Sequence, residues 1–223
     1  MRYTELRRMG LFELETLRII EKVASNMAPG PSLTFMEAHV FKALELMADR
    51  GFIGRSKLSS ELGIGEGAVR TLIKHLRKWR LVEVSRAGCH LTGHGKRMFA
   101  PLKDMILGEV EIPKNPVTVG NYNRAVQVGN ASDGLRYGLE QRDAAVKAGA
   151  LGATTLIFSK GRFIMPPTDE DCFKDSPEIG NLLRVELKPR EGDVIIIGSS
   201  NDAKSAELGA KAALLATIKM MRR

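Results

Sequence analysis

Residues 54–84 read GRSKLSSELGIGEGAVRTLIKHLRKWRLVEV, which contains two short helical patterns joined by a glycine. In the first pattern, Leu58 and Leu62 are four residues apart and therefore face the same side of a helix. Gly63 follows where the chain must turn sharply, and we expect Ile64 to fill the corner between the two helices. This stretch therefore predicts a helix-turn-helix.

The second helix of the pair has an apolar face and a cationic face. It begins near Glu66, and its apolar residues recur with the spacing of an amphipathic helix: Val69, Leu72, Ile73 and Leu76. The basic residues fall on the opposite side: Arg70, Lys74, Arg77 and Lys78. Such a helix fits the major groove of duplex DNA, where its first residues meet base edges and later basic residues meet phosphates.

The position of each residue along this helix predicts its contact. We expect Arg70 and Lys74, with Thr71 beside them, to make base or near-base contacts. Glu66 either accepts a hydrogen bond from a cytosine amino group or caps the helix. The basic residues of the last turn are better placed for phosphates. The other predicted DNA-binding residues lie in that turn, in the first helix and in a following hairpin turn: Arg77, Lys78, Arg55, Lys57 and Arg86.

A short hairpin, which we call the wing, is predicted directly after the basic helix. Residues 81–85 alternate as a strand does, Arg86-Ala87-Gly88 permits a tight turn, and residues 89–92 return. The next stretch, LTGHGKRMF at residues 91–99, resembles the L-T-x-x-G segment that closes winged-helix domains. Taken in this order, residues 34–105 resemble the DNA-binding domain of winged-helix transcription factors.

The charge of the chain is concentrated in the same region. Of a net charge of +8, residues 1–100 contribute +7, with 17 lysine and arginine residues against 10 aspartate and glutamate residues. An excess of this kind favours a polyanionic partner, and we predict double-stranded DNA. Two alternatives stay open at this stage, a basic helix that only faces solvent and a winged helix that binds protein.

The composition excludes several other classes of protein. No apolar run approaches the ~20 residues of a membrane span, and the charged start of the chain lacks the apolar core of a signal peptide. We therefore expect a cytoplasmic protein without a membrane partner. Cys89, His90 and His94 are interpreted as wing residues rather than metal ligands, and we predict no metal and no cofactor. The pattern G-x-G-x-x-A at residues 63–68 follows a helix instead of the strand that a dinucleotide site requires.

Helical patterns also precede the helix-turn-helix. A first amphipathic helix is predicted from residue 3 to about residue 25, with Gly10 as a possible interruption, and Pro29-Gly30-Pro31-Ser32 marks a break. Thr34 and Glu37 have the spacing of a capping box before a helix that ends near Gly51. A stripe on the first helix lies outside the winged-helix core and predicts either a homodimer contact or packing onto the C-terminal domain: Leu6, Met9, Leu14, Leu17 and Ile20.

The second half of the chain has a different pattern. The proline-containing stretch GEVEIPKNPVTVG at residues 108–120 predicts a boundary, so we expect domains at 1–107 and 117–223. Strands are predicted at residues 125–128, 154–159, 163–165 and 193–197, and helices at 135–150 and 202–221. The predicted fold is an N-terminal winged helix-turn-helix domain followed by a separate small α/β domain, giving an α/β or α+β chain.

One turn in the second half predicts a small-ligand site. It follows the strand DVIII and opens the last helix, so its backbone N–H groups and hydroxyls are suited to a phosphate or carboxylate: Gly198, Ser199, Ser200 and Asn201. Arg136, from a polar cluster after another strand, is expected to join it if the two turns are neighbours. The alternative is an ordinary strand-to-helix connection in which Asn201 or Asp202 caps the helix.

The two halves together resemble an archaeal family of transcriptional regulators with an uncharacterised C-terminal α/β domain. The stretches that carry this resemblance are GLEQRDAAVKAGALGATTLIF at residues 138–158 and DVIIIGSSNDAKSAELGAKAALLATI at residues 193–218. It implies a DNA-binding regulator, not an enzyme, whose second domain senses a small ligand, possibly anionic, or mediates assembly. We also predict a homodimer, because two copies read a longer operator than one. The alternative is an enzyme that acts on a phosphorylated metabolite through the C-terminal domain.

Overall fold

The structure is a computed structural model that describes residues 3–25 and 32–221, with the side chains of residues 3–11 outside the description. The chain divides into two compact units, Met1–Asp104 and Met105–Arg223. The predicted N-terminal winged-helix domain and separate mixed domain are therefore both present. The division lies a few residues before the predicted boundary at 107, because the predicted boundary segment contributes a strand to the second unit. Within the described ranges, no helix is long and apolar enough to cross a membrane.

The first unit is a helical domain with one hairpin. Its elements are α1 (Tyr3–Val23), α2 (Glu37–Arg50), α3 (Arg55–Leu62), α4 (Glu66–Lys78), β1 (Val82–Ser85), β2 (Gly88–Leu91) and α5 (Gly93–Lys103). The predicted helix-turn-helix corresponds to α3 and α4, and the predicted wing to β1 and β2. The helix α1 continues through Gly10 without interruption. The predicted break at residues 29–32 lies almost entirely outside the described residues.

Two residues of the apolar stripe of α1 belong to the core of the first unit. Leu17 and Ile20 are buried, and α1 packs on α2, α4 and α5 of the same unit. The Thr16 hydroxyl donates to the carbonyl oxygen of Met98 on α5 at 2.6 Å, which fixes the two helices together. The prediction that Leu17 and Ile20 form a dimer contact is therefore wrong, because the domain itself covers them. The side chains of Leu6 and Met9 lie outside the described residues.

The start of α2 differs from the predicted capping box. The residue before the helix is Met36, whose backbone N–H donates to Nδ1 of His39 at 3.2 Å. Thr34 is exposed and lies two residues before this position. His39 thus occupies the position three residues into the helix that the prediction gave to Glu37, so the capping motif begins two residues later than the sequence suggested.

The second unit is an antiparallel sheet covered by helices on both faces. Its elements are β3 (Ile106–Ile112), β4 (Tyr122–Val128), α6 (Leu139–Lys147), β5 (Gly152–Ser159), β6 (Arg162–Ile164), α7 (Pro177–Leu187), β7 (Val194–Ser200) and α8 (Ala203–Met221). The strand order is β3-β4-β7-β5-β6, and every neighbouring pair is antiparallel. Of the two predicted classes, α+β is therefore the one that describes this unit.

The central strand β7 explains why the strongest apolar signal of the second half lies there. Ile195 and Ile197 face a core that includes Leu183 of α7. Val194 and Ile196 lie on the opposite side, which α8 covers. Every residue of β7 is buried. A strand buried on both faces reads as a continuous apolar run.

Candidate DNA-binding surface

The turn between α3 and α4 is fixed by one glycine and one serine. Gly63 has φ 68°, in the left-handed region where a side chain is unfavourable, and its N–H donates to the carbonyl oxygen of Ser59 at 3.0 Å. The hydroxyl of Ser59 donates to the carbonyl oxygen of Ile64 at 2.5 Å. Ile64 is half-buried at the corner, as predicted. These bonds set the angle at which α4 leaves α3.

The apolar face of α4 anchors it in the first unit. Val69, Leu72 and Leu76 have no exposed surface, and Ile73 is also buried. Burying a side chain of this size stabilises a fold by about 1.5–3 kcal/mol, so the orientation of α4 about its own axis is firmly fixed. The opposite face must therefore point to solvent.

That outward face carries the predicted basic residues. Arg70, Lys74, Arg77 and Lys78 are all exposed, and none of the four forms an ion pair with any residue that the structure describes. Four cations and a single carboxylate, Glu66 in the first turn, lie within 13 helical residues, so this helix has a net positive potential. A polyanion that approaches this face replaces solvent and counterions and meets four cations that no ion pair holds.

The first two turns of α4 carry the two predicted polar contacts, Thr71 and Glu66. The Thr71 hydroxyl donates to the carbonyl oxygen of Gly67 at 3.2 Å, so its donor is directed to the helix backbone in the free protein. Glu66 is exposed and is the first helical residue. The residue before it, Gly65, occupies the N-cap, and no side chain in the described part of the chain caps α4 there. The capping alternative for Glu66 is therefore limited to its favourable charge at the helix start.

The three other predicted DNA contacts differ in their surroundings. Lys57 lies 3.1 Å from the carboxylate of Glu61, which also binds Arg50 at 3.0 Å. Hydrogen bonds from Lys57 and Arg50 lower the pKa of Glu61 below its ordinary value, so the charge of Lys57 is compensated. Arg55 and Arg86 are exposed, at the start of α3 and at the wing turn.

The wing is joined to the segment that leads into α3. Ile53 and Cys89 exchange two backbone hydrogen bonds of 2.9 Å, which add a third short segment to the hairpin. Arg55 follows Ile53 by two residues and Arg86 precedes Cys89 by three. The pairing therefore brings the chain segments that carry these two cations next to each other. Among the residues that the structure describes, no group of three potential ligands is arranged to hold a metal ion, and Cys89 is a buried wing residue.

The L-T-x-x-G motif has a structural explanation at the end of the wing. Thr92 caps α5, because its hydroxyl oxygen accepts the N–H of Gly95 at 2.8 Å, and it also donates to the carbonyl oxygen of Arg80 at 2.7 Å. A Cβ at Gly95 would collide with the backbone of Leu81. The motif therefore locks α5 onto the strand that follows α4.

The predicted ligand turn is not a turn. Gly198, Ser199 and Ser200 are the last three residues of β7, and both serines are buried. The hydroxyl of Ser199 donates to Oδ1 of Asn123 at 2.7 Å, and its carbonyl oxygen accepts the N–H of Leu151 at 2.9 Å. The predicted anion site at these serines is wrong, because both are buried strand residues and the hydroxyl of Ser199 is bonded within the sheet.

Only Asn201 and Asp202 connect β7 to α8. Asp202 Oδ1 accepts the backbone N–H of Ser205 at 2.9 Å, and this bonding lowers the pKa of the carboxyl. The capping alternative is therefore the correct one. A carboxylate already occupies the position near the helix start that an anion would need.

The segment that leads to Arg136 begins at the other end of the sheet from this connection. In the antiparallel pair of β4 and β7, Tyr122 is opposite Ser200 and Val128 is opposite Val194. The segment after Val128 therefore reaches the start of β7, where the N–H of Ser132 donates to the carbonyl oxygen of Gly192 at 3.2 Å. Seven strand residues, about 23 Å, separate the two ends. The strand pairing therefore gives no support to the expectation that Arg136 joins Asn201.

A small pocket of about 80 Å³ lies near the start of α8. Arg124 is its basic residue, but the guanidinium lies 3.7 Å from the carboxylate of Glu111 and 3.9 Å from that of Glu109. The charge that Arg124 could offer to an anion is therefore already balanced. The residues that line the pocket are Glu111, Ile112, Asn121, Tyr122, Asn123, Arg124, Ala203 and Ala206.

Two family models match this chain, one in each unit. Residues 38–106 match the CggR N-terminal DNA binding domain, which spans α2 to the wing and α5. Residues 119–218 match a domain of unknown function, DUF4443. The first match identifies the helix-turn-helix and wing as a DNA-binding type of domain, in agreement with the exposed basic face of α4. It supports a DNA-binding regulator.

A solved structure shares the fold across both units. It is a hypothetical protein from Pyrococcus horikoshii with 24% sequence identity and a TM-score of 0.62, covering 82% of this chain and 91% of the other. At this identity the similarity concerns the fold alone. Among curated proteins, no sequence matches the chain.

Proposed function

We propose that this protein is a transcriptional regulator that binds double-stranded DNA with α4 in the major groove. The observation that carries the proposal is the outward face of α4, where Arg70, Lys74, Arg77 and Lys78 are exposed without acidic partners among the described residues. The wing supplies Arg86 beside the start of α3. The family match of residues 38–106 supports the same function.

Each contact has a role that follows from its position. Arg70 and Lys74 lie in the first half of α4 and are assigned to base edges, with Glu66 at the tip accepting from a cytosine amino group. Arg77 and Lys78 at the end of α4 are assigned to phosphates. Arg55 and Arg86 are assigned to phosphates on the wing side, and Lys57 makes the weakest contact because Glu61 compensates it.

The direct test is a binding titration of the full chain with fluorescent duplex DNA. The double variant Arg70→Ala/Lys74→Ala is compared with Lys174→Ala/Lys204→Ala, which removes the same charge from exposed positions of the second unit. We expect the α4 double variant to lose most of its affinity for DNA and the control double variant to keep it. Equal affinity of both pairs would refute the assignment of α4 as the DNA-binding element.

We propose that the second unit regulates DNA binding, either by holding a small ligand or by assembling two copies. A separately packed unit with its own core, attached to a DNA-binding domain, supports this role. A panel of phosphorylated and carboxylated metabolites is tested by thermal denaturation. At 100 times its dissociation constant, a ligand of the folded state stabilises by about 2.7 kcal/mol. A panel that leaves the melting temperature unchanged would favour assembly.

We further propose that the protein binds DNA as a homodimer. One winged helix spans few base pairs, and two copies related by a two-fold axis double the site and match a palindromic operator. Sedimentation of the full chain at micromolar concentration, with and without duplex DNA, measures the mass. Two chains per duplex are expected, and a single chain under both conditions would exclude the dimer.

A further inference from the structure

Within the described chain, the glycines that neither packing nor backbone conformation requires lie in the helix-turn-helix. Among the glycines whose surroundings the structure describes, three combine an ordinary φ with open space around an added Cβ: Gly54, Gly65 and Gly67. The others have positive φ or a neighbouring atom within 4 Å. Neither backbone conformation nor packing within the described chain requires a glycine at these three positions.

Gly54 and Gly65 have a local explanation that Gly67 lacks. The first two are the N-cap residues of α3 and α4, where glycine is well tolerated. Gly67 is the second residue of α4, inside its first turn, where glycine destabilises a helix relative to alanine. Its presence therefore costs stability without an intramolecular benefit.

The position of Gly67 on α4 indicates what the missing side chain leaves free. Thr71 and Lys74 follow Gly67 by four and seven residues, so the three lie on one face, opposite the buried Val69, Leu72, Ile73 and Leu76. Gly67 is exposed at the end of the outward face that leads into the groove. A helix with its side chains is about 10–12 Å across and the major groove about 12 Å wide, so one bare position decides how deeply the helix enters.

We infer that Gly67 is a positioning residue, whose backbone lies directly against the floor or wall of the DNA major groove. This inference rests on the proposed DNA-binding function. Close contact at Gly67 brings Glu66 and Arg70, which lie one residue before it and three residues after it on α4, within reach of base edges. A side chain at position 67 would hold the start of α4 away from the bases while leaving the protein folded.

The test is a graded substitution of Gly67 in the full chain. Gly67→Ala and Gly67→Leu are compared with Gly93→Ala, which adds the same methyl group to the exposed first turn of α5 with only an ordinary contact at 3.6 Å from Arg97. Melting temperature, affinity for a duplex selected from a random library and affinity for an unrelated duplex are measured for each variant.

We expect Gly67→Ala to melt at or above the temperature of the unmodified protein and to bind the selected duplex at least about tenfold more weakly, or about 1.4 kcal/mol. Gly67→Leu should lose more, and the unrelated duplex should be affected less. Gly93→Ala should bind normally. Normal binding by Gly67→Ala, or an equal loss in Gly93→Ala, would overturn the inference alone. If the unmodified protein binds no duplex, the proposed function itself fails.

Discussion

Nδ1 of His75 on α4 lies 2.8 Å from the carbonyl oxygen of Val23 at the end of α1. The carbonyl can only accept, so the hydrogen is on Nδ1 and the imidazole donates. His75 is buried, and the ring of Phe35 packs edge-on against the imidazole, with 6.0 Å between the two ring centroids. The helix α4 is thereby joined to a helix outside the helix-turn-helix, which gives α1 a role in holding α4.

Replacing His75 by phenylalanine should destabilise the protein. The ring is retained, but the buried carbonyl oxygen of Val23 loses its donor, which costs about 1–3 kcal/mol. Urea denaturation measures the change. His94→Phe, at an exposed position, is the control and should leave the free energy of unfolding nearly unchanged. Equal stability of His75→Phe and the unmodified protein would mean that this bond does not hold α4.

Base contacts and phosphate contacts on α4 should respond differently to substitution. Arg70→Ala or Lys74→Ala should weaken binding to a selected duplex by about 1–3 kcal/mol each and reduce the preference for it. Arg77→Ala should weaken binding to all sequences alike. Titration of each variant with selected and unrelated duplexes measures both effects. A uniform loss in Arg70→Ala would reassign this residue to the DNA backbone.

The helix-turn-helix was predictable because its signals are local. The spacing of Leu58, Leu62 and Gly63, and the two faces of α4, are properties of neighbouring residues, and the structure confirms them. The sheet was predicted only in part, because β3 lies in a stretch flanked by prolines and gains its strand partner from β4. The helix α7 was missed entirely.

The ligand site was predicted wrongly because it also depends on partners that are distant in the sequence. The hydroxyl of Ser199 is hydrogen-bonded to Asn123, which lies 76 positions away in the sequence. Whether Arg136 and Asn201 meet depends on the antiparallel pairing of β4 with β7, which a hydrophobic pattern does not specify. Local sequence therefore predicted the helix-turn-helix and the two faces of α4 well and the interior of the second unit poorly.

Ser199→Ala should act on stability. The change leaves the buried Oδ1 of Asn123 without the hydroxyl that donates to it, at a cost of about 1–3 kcal/mol. Chemical denaturation measures the loss, with Ser60→Ala at an exposed position as the control. DNA affinity of the folded variant should be unchanged. A variant as stable as the unmodified protein would contradict the buried position of Ser199.

Stability should fall in mildly acidic solution because of His39. Burial, assisted by the nearby positive charge of Lys42, lowers the pKa of His39 from 6.5 to about 4, so the folded protein holds the neutral ring. As the pH falls from about 6.5 towards 4, His39 is protonated in the unfolded chain but stays neutral in the folded one. The free energy of unfolding therefore decreases by up to about 3 kcal/mol. The variant His39→Asn should show a smaller loss between these pH values in urea denaturation. An identical pH dependence would contradict the neutral, buried ring.

The most direct test of the DNA-binding surface is the salt dependence of affinity for duplex DNA. Each phosphate contact releases counterions and contributes about −0.9 to the slope of log affinity against log salt concentration. Contacts from Arg55, Arg77, Lys78 and Arg86 predict a slope of about −3.6 for each chain bound, reduced by about 0.9 in Arg77→Ala. No measurable binding at low salt, or an affinity that does not change with salt, would contradict DNA binding through the basic face of α4.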